Sequence, residues 1–216
     1  MDVLGWMTVN NTLVLILVVL AVTAVCLLIR QSAILATRLD RLHWRILTTR
    51  DSLELLLDER ARYGERIADF PGFSEETSMQ IQRAAHECAR SEGVPLVADG
   101  LDRRSDSACA SDGDSRARSL AYLDAQSTLS RVLRAVLDHE VRASMEEDPY
   151  WARELHQLDQ VSYKVQLARS MHNLYVSQTH KIRERTWVRV AHLAGHAPQA
   201  ASIDFDDDTL EDGHGY

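Results

Sequence analysis

Proline and glycine are scarce in this chain, 4 and 9 of 216 residues. That disfavours a β sandwich or barrel, which needs frequent Gly- and Pro-rich turns. Cysteine occurs only 3 times, an odd and sparse count that excludes a disulfide scaffold. Lysine is nearly absent: Lys164 and Lys181 are the only two, so the basic residues are almost all arginine. The 24 Lys+Arg are outnumbered by 32 Asp+Glu, giving a net charge of −8. A nucleic-acid partner is therefore not expected, because phosphate neutralisation needs a basic face. The common catalytic patterns are also missing. His86-Glu87 and His139-Glu140 are not followed by the second histidine of H-E-x-x-H, and there is no C-x-x-C, G-x-S-x-G, G-x-x-x-x-G-K-[ST] or G-x-G-x-x-G. No catalytic, cofactor or metal site is implied, and the expectation is a protein that is not an enzyme. What is present is 45% apolar and 26% charged residues, a balance that fits one folded domain with an appendage.

The appendage is at the start. No charge occurs from Val3 to Ile29, and Thr12–Ile29 (TLVLILVVLAVTAVCLLI) is apolar apart from two threonines. Eighteen helical residues rise about 27 Å, close to the hydrocarbon thickness of a bilayer. Trp6 is placed for the outer headgroup layer. A cleaved signal needs a basic leading segment and a small-residue cleavage site, whereas here Asp2 leads and the long run ends at Arg30. A lipoprotein signal at Cys26 fails on the same missing basic segment and on Val25. A retained span at 12–29 is expected, with 1–11 as a short extracytoplasmic N-terminus. Arg30, Arg38, Arg41, Arg45 and Arg50 follow the span and no Lys or Arg precedes it, so the positive-inside rule puts the rest in the cytoplasm. Cys88 and Cys109 would then be reduced thiols.

Beyond the span the periodicity is helical throughout, and no segment alternates convincingly with period two. Leu35, Leu39, Leu42, Ile46, Thr49, Leu53, Leu56, Arg60 and Tyr63 are spaced as a heptad seam in one helix over 31–68. Phe70-Pro71-Gly72-Phe73 marks a turn, and Ser74 caps a second helix reaching about Arg90 with a thin face of Met79, Ile81, Ala85 and Cys88. Residues 93–118, with five acidic and four basic residues among Gly and Ser, read as a flexible loop. A third helix is expected over 117–146 on Leu129, Val132, Leu133, Val136, Leu137 and Val141. Asp148-Pro149 restarts a fourth, running to about Ala194 before Gly195, with a seam from Leu155 through Val165, His172, Tyr175 and Thr179 to Ile182. Residues 196–216 read as an acidic, disordered tail. The fold class is all-α: a transmembrane helix continuing into an up-and-down bundle of long antiparallel helices over 30–195, flexible loop included.

Few residues stand out as sites. Arg30, Arg38, Arg41 and Arg45 flank the membrane and can meet anionic headgroups as well as fix topology. His172, Tyr175 and Thr179 are polar positions on a helix seam, where register-setting is the plainest role. His192 and His196 are four apart, but Gly195 intervenes and a third metal ligand is lacking. Asp138-His139-Glu140-Val141-Arg142 is similar to the phosphoacceptor box of sensor histidine kinases, which makes His139 the alternative phosphoacceptor. The proline that usually follows is Ser144, and no ATP-binding domain fits after Pro149.

The order of parts resembles the LemA family of bacterial membrane proteins, in actinobacterial form. The resemblance rests on Leu39-Asp40-Arg41-Leu42-His43 after the span, and on Val165, Ala168-Arg169, His172-Asn173, Val176 and Lys181-Ile182 in the last helix. Leu193-Ala194-Gly195-His196-Ala197-Pro198 and Ile203-Asp204-Phe205 complete it. The family's tyrosine is His172 here, and its Pro-Asn-Leu element is absent near Asp51-Ser52-Leu53. The resemblance implies a non-enzymatic scaffold or interaction module in the plasma membrane, whose partners are the lipid bilayer and an unknown protein or a second copy of itself.

Overall fold

The computed structural model describes residues 3–90, 93–101, 112–185, 188 and 198–208. Its elements are α1 (Val3–Ile67), α2 (Glu75–Arg90), α3 (Asp112–Val136), α4 (His139–Glu146) and α5 (Pro149–Arg183). Among the described residues there is no strand. The all-α, up-and-down bundle is what the patterning predicts.

Helix α1 is 65 residues long without a break, a rise of about 97 Å. From Leu15 to Gln31 every side chain is exposed, including a continuous run of Leu, Ile and Val. An exposed apolar surface of that extent exceeds what a soluble monomer carries. This stretch is the one helix among the described residues long and apolar enough to cross a membrane, with a mean hydropathy of 2.3. From Leu39 onward the same helix becomes the central rod of the bundle.

Helix α5 runs antiparallel to α1. Arg66 bonds Glu154 at the far end, Arg45 lies over Tyr175 in the middle, and Leu39 and Leu42 pack on Ile182 nearest the span. Helix α3 runs parallel to α1, with Arg60 reaching Gln126 and Ser130 and Gly64 lying beside Leu129 and Leu133. Helix α2 returns between them and buries Ile81, Ala84, Ala85 and Cys88, whereas Met79 is exposed. The main core lies far from the apolar run and joins all five helices through Ile67, Phe70, Ile81, Leu129, Leu133, Met145 and Leu158.

The caps follow the sequence. The Ser74 hydroxyl accepts from the Thr77 N–H at 3.1 Å, and Asp148 accepts from Tyr150 N–H at 2.8 Å with Pro149 at the helix start. In the turn before α2, Phe70 makes edge contacts with Phe73 and Trp151. A Cβ at Gly72 would collide with the Phe70 ring, which is why this turn carries glycine.

Four expectations are corrected. The heptad seam broadens after Ile46: Leu53 and Arg60 are buried as its spacing predicts, but Arg50 and Leu57 are buried as well, while Thr49, Leu56 and Tyr63 are half-buried. A straight helix has 3.6 residues per turn and drifts off a 3.5 repeat. Second, the helix expected over 117–146 starts at Asp112 and breaks at Leu137-Asp138. The Asp138 carboxylate accepts from Val141 N–H at 2.9 Å and so starts α4. Third, the segment read as a flexible loop is partly built into the core: Leu96 is fully buried and Ser119 bonds the Pro95 carbonyl at 2.7 Å. Fourth, α5 ends at Arg183, and Ala200, Ile203, Phe205 and Asp207 of the expected disordered tail are buried. The end anticipated at Gly195 lies outside the described residues.

Candidate functional site: an arginine groove and an acidic strap

Two polar features stand out on the bundle, a groove at the end nearest the apolar run and a strap that runs from that end along the helices. The first is a groove of about 630 Å³ lined by Arg30, Ala33, Ile34, Thr37, Arg38, Arg41, Leu42 and Arg45 of α1 and by Gln178 of α5. Positions 30, 34, 38, 41 and 45 recur every third or fourth residue and share one helix face. The four arginines that follow the apolar run, Arg30, Arg38, Arg41 and Arg45, therefore meet in one place. They are exposed, and no carboxylate lines the groove among the described residues. Arg45 is steadied by the Tyr175 ring, 5.5 Å below its guanidinium.

The second feature is a strap, residues 198–208, lying in an extended path along α5. It is fastened at many points. Arg183 and His180 bond the carbonyls of Pro198 and Ala200 at 2.9 Å each. Asn173 exchanges two bonds with the Ile203 backbone, at 2.8 and 2.9 Å. Arg169 holds Asp207 with a fork at 2.6 and 2.9 Å, and Arg134 of α3 holds Asp206 at 2.8 and 3.1 Å. The Arg134 fork keeps the Asp206 carboxyl below its usual range. Ile203 and Phe205 sit between these clamps and join Leu53, Leu57, Leu96, Tyr122 and Val165 in a second core.

Arg50 and Asp99 tie the strap, the loop at 93–101 and α1 into one unit. Their side chains are 1% and 4% exposed and meet at 2.7 and 3.1 Å. The same carboxylate accepts from the N–H of Leu101 at 3.1 Å and of Ala201 at 3.0 Å. Burial pushes the Asp99 carboxyl up, but the Arg50 fork and the two backbone donors outweigh it and hold it below its ordinary value. Gly100 follows with φ of +74°, close against Pro198, a conformation that suits glycine where the loop turns beneath the strap. Deeper in, Arg60 is fully buried and donates to Ser130 at 3.0 Å and to Gln126 at 2.8 and 3.2 Å.

The seam residues occupy structural positions. His172 is buried, with Nε2 3.3 Å from the Ala201 carbonyl, and burial lowers its pKa. Thr179 is buried and donates back to Tyr175 O at 2.9 Å. His139 is exposed in the first turn of α4, but its box is dispersed: Asp138 caps the helix, and Arg142 bonds Asp159 and the Leu137 carbonyl. His192, His196 and Cys109 lie outside the described residues, and among the described residues no three His, Cys, Asp or Glu side chains converge as a metal site. Cys88 is buried and its thiol is pushed up to about 11, chiefly by burial, so it is protonated at neutral pH.

The groove arginines stand out in the sequence, whereas Arg50 shows there only as a charge after the apolar run and Arg169 only within the resemblance, and Asp99, Arg134, Asp206 and Asp207 carry no signal of their own. A signal for the strap existed in Ile203, Phe205 and Asp207, which alternate inward with outward Asp204. Comparison with family models, with curated proteins and with solved structures finds no match to this chain.

Proposed function

We propose that this chain is a single-pass, non-enzymatic interaction or scaffold module, LemA-like in its order of parts. In this reading the N-terminus is outside and the bundle is cytoplasmic at the inner face of the plasma membrane. The observation that carries the reading is the unbroken course of α1 from the exposed apolar run into the bundle core. A rigid rod holds the bundle at a fixed angle to the bilayer, as a docking platform requires. The arginines on one side of the span support the orientation. Outer faces with apolar side chains support protein contact: Trp44 on α1 is 72% exposed, and Tyr163, Leu167 and Leu174 form an exposed stripe on α5.

The test is photocrosslinking in native membranes, with a crosslinking residue replacing Leu167 or Trp44. A discrete adduct, to itself or to another protein, that disappears on Tyr163→Asp is expected. No discrete adduct from either position contradicts the proposal.

The exposure of His139 favours phosphotransfer as a second reading. Labelled γ-phosphate appearing on the chain with candidate kinases, and lost in His139→Gln, would support it. Labelling unchanged by that substitution removes it.

A further inference from the structure

The arginine groove has a composition that topology does not require. Any arginines close after the span would orient it, wherever they lay around the helix. Here Arg30, Arg38, Arg41 and Arg45 share one stripe, and Ile34, Leu42 and the α5 residue Gln178 close it into a groove of about 630 Å³. Asp40, the nearest carboxylate in sequence, is not among its lining residues. Among the described residues no carboxylate lines the groove, and its positive charge calls for an anion.

Position identifies the anion's source. Arg30 directly follows the apolar run, at the edge of the hydrocarbon. Arg38 and Arg41 lie roughly 12 and 16 Å further along the axis by helical rise. The headgroup layer adds about 5–8 Å beyond the hydrocarbon. Side chains on a helix lean toward its N-terminus, which for α1 means toward the bilayer. Long arginine stems extend that reach, with their charged heads kept in the polar layer. The mouth of the groove, at Arg30, Ile34 and Arg38, thus opens where lipid phosphates are concentrated, and the exposed Ile34 offers apolar surface to the glycerol and upper acyl region.

We infer that this groove binds the headgroup of an anionic phospholipid, with Arg38 and Arg41 on the phosphate, Arg30 at the hydrocarbon edge below it and Gln178 as a neutral hydrogen-bonding side chain on the opposite wall. The inference rests on the reading of α1 as a membrane span and adds to it a specific lipid site. Because Gln178 belongs to α5, the site exists only when the bundle is folded against α1, so lipid binding stabilises the junction between rod and bundle.

The test uses the full chain in detergent micelles, titrated with phosphatidylglycerol, with phosphatidylcholine or with inorganic phosphate, and read by native mass spectrometry. Phosphatidylglycerol is expected to bind roughly tenfold or more tighter than phosphatidylcholine, by the contribution of arginines near lipid charge. The preference should vanish in Arg38→Gln/Arg41→Gln, fall in Gln178→Ala, and weaken in the unaltered chain as salt is raised from 0.05 to about 0.5 M. Equal binding of the two lipids, or a preference insensitive to salt, overturns the inference. So does displacement of phosphatidylglycerol by millimolar inorganic phosphate, which would assign the groove to a free anion. A failed lipid preference leaves the membrane tether and the protein crosslinks in place, so this failure and that of the proposed function are distinguishable.

Discussion

Asp99→Ala is the most informative single substitution in the folded domain. Its carboxylate, 4% exposed, receives the Arg50 fork and the N–H groups of Leu101 and Ala201, three chain segments held by one side chain. Removing it strips the buried Arg50 guanidinium of the Asp99 fork, and breaking a buried ion pair in this way costs about 3–5 kcal/mol. The two released amides add about 1 kcal/mol each unless water reaches them. Against a domain stability of about 5–15 kcal/mol, that is a third or more of the total. In urea unfolding of the full chain in micelles, followed by far-UV circular dichroism, the midpoint should fall by about 2.5–3.5 M for a slope near 2 kcal/mol/M. Hydrogen exchange should show the strap at 198–208 losing protection first, because its fastening at the Ala201 N–H goes with the Asp99 carboxylate. The double substitution Arg50→Met/Asp99→Leu should recover most of the loss, since an apolar pair avoids the desolvation cost. A midpoint shift under about 0.3 M for Asp99→Ala, with strap protection unchanged, would refute the reasoning.

Other outcomes follow from the same contacts. His172 is held neutral by burial, its pKa below the ordinary 6.5. Its contribution is therefore fully present above pH 6.5 and is lost as pH falls toward the folded-state value. Unfolding free energy should decline on acidification below pH 6.5, with a shallower slope in His172→Gln. Cys88, with its thiol near 11, should resist iodoacetamide at pH 8 in the folded chain and react after urea unfolding. Gly64→Ala meets only ordinary contact, 3.5 Å from Leu129, so better helix propensity should raise stability by about 0.5–1 kcal/mol in thermal unfolding. Gly72→Ala, which drives a Cβ into the Phe70 ring, should lower the melting temperature in the same assay. Leu133→Ala removes a fully buried side chain and should cost about 2–5 kcal/mol in urea unfolding.

The architecture was legible because helical signals are local and redundant here. Ser74 and Asp148 cap where they should, Pro149 starts α5, and the apolar run at 12–29 has the length of a bilayer. The burial of Arg50 was hidden because it looks misplaced on an apolar face until Asp99, 49 residues away, is brought to it. Asp138 looked like one more charged residue in a helix, but its carboxylate competes for the Val141 N–H and splits the helix there. The strap was concealed by its composition. Asp206 and Asp207 read as solvated charge, and only the folded α3 and α5 supply Arg134 and Arg169 to neutralise them. Conversely, the groove was half visible, since the four arginines are near in sequence but their common face and the wall contributed by Gln178 are products of folding.

The central claim is that the apolar half of α1 lies in hydrocarbon. Washing isolated membranes in alkaline carbonate, then sedimenting them, tests it most directly. The intact chain should stay in the pellet and appear in the supernatant only after detergent is added. Release by carbonate alone would contradict the account.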